Sequence, residues 1–245
     1  MRTIKLLYFF CVSILTAPRR LLNELFRLSE QLYHKHRSGA IPLKTVCISN
    51  FFTQETVRNY TYLDGTSTVL DIALLKAIAR SIPDCMYLEI GTWRGESLVN
   101  VADVAMACGC VSLEYSKDFV CDRAENPTSE SEEKSSVILP DLIDKNFKFD
   151  LIFIDGSHEF ADIAQDTENA FKLLRPNGVI VWHDYGLTTE KVNWTTLDAI
   201  IEGCPIDRLS NLYHVSNTLC AIYTERELKP VEQMGLFEVA IKKTR

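Results

Sequence analysis

Three short and almost wholly apolar runs constrain this chain more than anything else in it: Cys85-Met86-Tyr87-Leu88-Glu89-Ile90, Leu151-Ile152-Phe153-Ile154 and Val179-Ile180-Val181-Trp182. A strand that is apolar on successive residues must be covered on both faces, which is the situation of a parallel sheet layered by helices. The segments between supply the helices. Val69 to Ile82 is apolar at Val69, Leu70, Ala73, Leu74, Ala77 and Ile78 and stops before Pro83. Gly95 to Ala107 reads as a second helix, and Phe160 to Leu174 as a third, closed by Arg175-Pro176-Asn177-Gly178. Cys108 to Leu113 and a short Ser136 to Leu139 read as further strands. Such alternation implies right-handed crossovers and a doubly wound α/β sheet. Leu212 to Val215 and Leu219 to Tyr223, either side of Ser216-Asn217-Thr218, predict an antiparallel hairpin, and Leu236 to Ile241 one more edge strand. The polar stretch Asp122 to Glu133 reads as an exposed loop.

The 245 residues suit one domain with an appendage, divided as a helical extension over 1–45 and a main domain over 46–245. A formal charge of −7 gives no drive toward phosphate backbones, so nucleic acid is excluded as a first expectation. None of the eight cysteines forms a CxxC pair, and they read as reduced, mostly buried side chains of a cytoplasmic protein.

Residues 6 to 17 form a twelve-residue apolar run behind Arg2 and Lys5, followed by Pro18-Arg19-Arg20. It is shorter than the roughly 20 residues a bilayer span needs, and the proline spoils a signal-peptide cleavage pattern. Leu21, Leu22, Leu25, Phe26, Leu28, Leu32 and Tyr33 continue at helical spacing. They predict an amphipathic helix, either docked on the domain, the favoured reading, or lying with residues 1–33 on a membrane surface. His34 and His36, among Lys35 and Arg37, read as solvated. The sequons at Asn59 and Asn193 are taken as chance, and a homo-oligomer stays open.

Ligands of such sheets sit beyond the carboxyl ends of the strands, where the order reverses. The first strand runs into Glu89-Ile90-Gly91-Thr92-Trp93-Arg94-Gly95-Glu96-Ser97. Gly91 and Gly95 would let the backbone turn and approach a ligand, with amides at the helix start facing an anionic group. The spacing departs from the GxGxxG dinucleotide fingerprint, which disfavours a nicotinamide oxidoreductase. Glu114, 23 residues after Gly91 at the end of the second strand, is placed to accept both hydroxyl hydrogens of a ribose.

With those residues in view, the chain resembles class I S-adenosylmethionine-dependent methyltransferases, and Leu88 to Ser97 resembles the first motif of catechol O-methyltransferase and of small sugar and antibiotic O-methyltransferases. The resemblance spans about Val69 to Thr224. It implies a Rossmann-like, mostly parallel seven-stranded sheet with a terminal hairpin, and S-adenosylmethionine as cofactor. On that resemblance Gly91 and Gly95 would line the methionine part of the cofactor, Trp93 would lie near the sulfonium, Ser97 near the methionine carboxylate and Glu114 on the ribose, with Glu89, Thr92 and Asp155 also among the cofactor-binding residues.

Phe149 to His158 resembles the segment in which metal-dependent relatives place one ligand, here Asp155, and a catalytic base three residues on, here His158. Val181-Trp182-His183-Asp184-Tyr185 matches where relatives carry two adjacent oxygen ligands. Asp184 fits that pattern. His183 departs from it, and either shifts the set from Mg²⁺ toward Mn, Fe or Zn or stands outside it. The implied activity is methylation of a hydroxyl on a small molecule or sugar, assisted by Mg²⁺ or Mn²⁺, with Asp155 and His158 catalytic. The competing expectation is a non-catalytic scaffold docked through its N-terminal helix. Gly186 to Thr196 and Trp194 would border the acceptor pocket, or else form a lid around a buried Trp.

Overall fold

The structure, a computed structural model, describes residues 18–58, 60, 67–92, 95–111, 121–122, 135–228 and 230–231. Six helices are assigned among them: α1 (Pro18–Ser38), α2 (Val69–Ser81), α3 (Glu96–Ala102), α4 (Ser135–Asp144), α5 (Phe160–Leu173) and α6 (Trp194–Gly203). The strands are β1 (Lys44–Val46), β2 (Met86–Ile90), β3 (Ala107–Val111), β4 (Cys121–Asp122), β5 (Phe149–Ile154), β6 (Leu174–Trp182), β7 (Gly186–Thr188), β8 (Lys191–Val192), β9 (Leu212–Val215) and β10 (Ala221–Thr224).

The main sheet runs β1-β9-β10-β6-β5-β2-β3-β4, so seven strands are joined at one edge by the two-residue β4. Its centre, β6-β5-β2-β3, is parallel, and β9 and β10 form the expected antiparallel hairpin. The all-apolar strands feed two layers by simple alternation. Leu88, Ile90, Ile152, Ile154, Ile180 and Trp182 face the layer of α4, α5 and α6. Tyr87, Leu151, Phe153, Val179 and Val181 face α2 and α3. This two-sided cover is what the unbroken apolar runs required.

Several local expectations change. Ser136 to Leu139 belongs to helix α4, because Ile138, Leu139, Leu142 and Ile143 pack inward at helical spacing while Val137 stays exposed. A four-residue apolar run cannot separate the two periods. The helix expected to reach Ala107 ends at Ala102, and the following turn returns the chain to the sheet, Met106 N donating to Cys85 O at 2.9 Å. Arg175 to Gly178 lies inside β6 as a bulge, with Asn177 left-handed at φ 63°. β1 was not anticipated. It crosses the expected 45/46 boundary and pairs parallel with β9. Residues 1–17, the 123–133 part of the expected loop and the 236–241 edge strand lie outside the described residues.

α1 is helical as expected and packs on the domain, but through its polar side. Gln31 Nε2 donates to Asn193 Oδ1 and Thr195 Oγ1, and Arg37 bridges Asp198 and Glu202 at 2.8 Å each. His34 is buried rather than solvated: its Nδ1 lies 2.7 Å from Asp198 Oδ2 and its ring stacks on Phe160. Leu22, Leu25, Phe26, Leu28, Leu32 and Tyr33 point outward. No described helix is long and apolar enough to cross a membrane.

Candidate active site

β2 and β5 are neighbours, and the sheet order turns between them, so their carboxyl ends form the crevice of the fold. Gly91 (φ +94°) follows β2. A Cβ there would lie 2.2 Å from Gly156 Cα and 2.4 Å from Asp155 O. Glycine at 91 thus lets the turn after β2 press against the backbone of the turn after β5. Gly95 (φ +76°) differs, since a Cβ on it would meet nothing nearer than Thr92 Cγ2 at 4.0 Å; its left-handed backbone is what glycine relieves.

Glu89 lies beneath this turn, buried, and accepts hydrogen bonds from Tyr87 Oη (2.6 Å), Thr92 Oγ1 (2.6 Å) and Ser97 Oγ (2.8 Å). Burial raises its pKa against the pull of the three hydroxyls. Glu89, Thr92 and Ser97, expected as separate cofactor contacts, form one network in which Glu89 braces the turn from below. Trp93 and Glu114 lie outside the described residues.

The remaining expected residues converge. Asp155 extends the β5 ladder, its N–H donating to Ile90 O at 2.8 Å, and His183 does the same from β6 to Ile154 O at 3.0 Å. These ladder bonds set Asp155, His183 and Asp184 side by side. His183 Nδ1 lies 3.0 Å from Asp155 Oδ1 and 3.1 Å from Asp184 Oδ1. One ligand atom from each of the three residues falls within 4.8 Å of the others. Asp184 holds a left-handed backbone (φ 55°), a conformation Asp tolerates better than most residues and one that recurs at functional sites. Its Oδ2 lies 2.8 Å from Nδ1 of His158, which is mostly exposed.

Two contributors left no signal in the sequence pattern. Asp71 is fully buried at the start of α2, where it completes a capping box with Thr68 and accepts the Leu219 N–H at 2.9 Å. Its Oδ2 faces His183 Nε2 at 3.4 Å. Ser67 Oγ donates to Asp155 Oδ2 at 2.9 Å. His183 therefore has carboxylates on both ring nitrogens. Burial opposes its charge, yet Asp155, Asp184 and Asp71 outweigh that and hold its pKa well above 6.5. Asp184 moves the other way: burial would raise it, but the His158 and His183 bonds take it well below the usual carboxylate range. The hydrogen bond to Asp184 raises His158, against partial burial.

A void of about 10 Å³ among Asp155, His158, His183 and Asp184 has room for about one water-sized body. Next to it opens a cavity of about 390 Å³, bounded by His158 and Asp184, by Gly186, Leu187, Asn193 and Thr195, and by Arg27, Glu30 and Gln31 of α1. Of the 186–196 stretch, Gly186, Leu187, Asn193 and Thr195 border this cavity, and Trp194 is not among its lining residues. The contribution of α1 was not foreseen.

The donor set fits a divalent ion. Two carboxylates and an imidazole whose far nitrogen faces a buried carboxylate are the usual surroundings of a metal-bound histidine.

Residues 88–185 match a family profile described as a methyltransferase domain. No curated sequence matches the chain. Among solved structures it is similar to an O-methyltransferase from Bacillus cereus in complex with SAH, at 16% identity over 66% of this chain and 84% of that one, TM-score 0.47. It is also similar to the O-methyltransferase TomG from Streptomyces achromogenes, at 17% identity over 66% and 82%, TM-score 0.42. The MycE methyltransferase of mycinamycin biosynthesis, in complex with Mg, SAH and mycinamycin VI, matches at 20% identity over 63% of this chain, TM-score 0.40. The chain spans about half the length of some of the solved structures it matches, 47% in the case of MycE.

Proposed function

We propose that this chain, whose residues 88–185 match a methyltransferase-domain profile, transfers the methyl group of S-adenosylmethionine to a hydroxyl of a small polar molecule such as a sugar. The observation that carries the reading is the convergence of Asp155, His158, His183 and Asp184 at the tips of β5 and β6, beside the cavity. The cavity wall is mostly charged, amide or hydroxyl, with Leu187 and Leu219 its aliphatic exceptions, which favours a polyhydroxylated acceptor over a flat aromatic one.

The reaction is an in-line displacement. The acceptor oxygen forms a bond to the methyl carbon, the sulfonium–carbon bond breaks with its electron pair going to sulfur, and the hydroxyl proton must leave. With Nδ1–H given to Asp184, His158 keeps Nε2 free to take that proton once the ring is neutral. The turn over Glu89, Thr92, Gly95 and Ser97 would hold the cofactor's amino-acid end, and Gly91 fixes its distance from Asp155. A divalent ion held by Asp155, Asp184 and His183 Nδ1 would lower the hydroxyl pKa and orient its oxygen. Asp71 faces the far nitrogen of His183 at 3.4 Å as a charge partner, while Nδ1 points to the carboxylate pair.

The test is calorimetric binding of S-adenosylhomocysteine together with label transfer from S-adenosylmethionine across sugars and catechols, with Mg²⁺, Mn²⁺ or chelator. Binding with metal-stimulated transfer to a sugar supports the reading. Binding without transfer to any acceptor would leave the scaffold reading, and no binding would remove the cofactor assignment.

A further inference from the structure

We propose that the outward face of α1 rests on an anionic lipid surface. The helix is oriented unambiguously: Gln31, His34 and Arg37 make the contacts to α5 and α6, and Leu22, Leu25, Phe26, Leu28, Leu32 and Tyr33 occupy the opposite side. Phe26 is 73% exposed and Leu22 64%. Six large apolar side chains on one uncovered face form a patch of the kind that marks an interaction surface.

Charge identifies what covers it. Residues 1–37 hold seven Lys and Arg against two Glu, net +5, whereas the other 208 residues hold 19 against 31, net −12. The basic residues that flank the apolar ones lie toward the N-terminal side: Arg2 and Lys5 precede the apolar run 6–17 and Arg19 and Arg20 follow it, whereas Lys35 sits over the Trp194 ring at 4.8 Å and Arg37 is paired with Asp198 and Glu202. An apolar face with cations toward its N-terminal side complements acyl chains below anionic headgroups. A second copy would bring two +5 segments together, which disfavours that occupant. The apolar chain that leads into α1 extends the same character for a further twelve residues, continuous in sequence with the helix face. This surface is separate from the residues proposed for chemistry, so it stands whether or not methyl transfer is found.

Flotation of the full chain with vesicles tests it, using phosphatidylcholine alone and phosphatidylcholine with about one-third phosphatidylserine. The protein is expected to float with the anionic vesicles and to be released by salt. The double variant Leu25→Glu, Phe26→Glu is expected to lose about tenfold or more in vesicle binding. Circular dichroism and an unchanged melting temperature will show that it is folded, since both side chains point away from the domain. Arg19→Glu with Arg20→Glu is expected to remove the preference for anionic lipid. Failure of the wild-type chain to float, unchanged binding by the folded Leu25/Phe26 variant, or a dimer in solution that this variant dissociates would each overturn the proposal.

Discussion

Replacing Asp184 by Asn isolates the electrostatics of the site, because Asn tolerates the left-handed backbone at this position as well as Asp does. What is lost is the negative charge between two imidazoles, 3.1 Å from His183 Nδ1 and 2.8 Å from His158 Nδ1. Hydrogen bonds to charged groups contribute about 1.5–3 kcal/mol. His183 keeps Asp155 and Asp71, so the loss corresponds to one such bond, about 2 kcal/mol. Since His158 is mostly exposed, its pair adds little. For a domain of this size about 2 kcal/mol lowers the melting temperature by ~4–8 °C. The pH dependence has a definite sign. His183 is raised, so its contribution is complete below 6.5 and is lost as pH rises through the folded value. Asp184 and Asp71 are lowered, so theirs is complete above 3.8 and is lost as pH falls through their folded values. Metal-free wild type and Asp184→Asn should therefore differ most between pH 3.8 and 6.5. Calorimetric melts of both in chelator across that range make the measurement. A difference independent of pH, or a variant that melts with wild type at pH 5–6, would refute the ion-pair account.

His158→Gln should lower kcat by about 10²–10⁴ while leaving S-adenosylhomocysteine affinity unchanged, and in wild type the acidic limb of the rate profile should lie above pH 6.5. Gly91→Ala should cost several kcal/mol, since its Cβ would collide with backbone at 2.2 Å as well as require a positive φ; chemical denaturation will read it. Asp166 is buried in α5, and burial, against a Ser135 hydrogen bond, lifts its pKa from 3.8 to about 6. The unfolded chain gives up this proton near 3.8 and the fold only near 6, so stability is lost as pH rises across that interval, and Asp166→Asn should stabilise by up to about 3 kcal/mol at pH 7 and by nothing at pH 3, seen in denaturant melts.

What could be read from residues alone follows from what is local. Ile152 to Ile154 and Val179 to Trp182 could be placed because an unbroken apolar strand has one stable environment, and the residues after them, Asp155 and Asp184, inherit their positions from the strand ends. Val137 to Leu139 could not, because its period shows only with Leu142 and Ile143 counted. The orientation of α1 depended on partners 161 and 165 residues away from Arg37, Asp198 and Glu202, and an apolar stripe is ordinarily taken as the buried side. Asp71 left no signal in the sequence pattern. Its approach to His183 exists only because β6 ends beside the start of α2.

The central claim is that the tips of β2, β5 and β6 hold cofactor and metal in one place. Anomalous diffraction from crystals of the full chain soaked with Mn²⁺ and S-adenosylhomocysteine tests this most directly. The account predicts one manganese peak within bonding distance of Asp155, His183 and Asp184, with the cofactor sulfur facing it from above Gly91. Manganese bound elsewhere, or a cofactor lying away from the β2 turn, would contradict it.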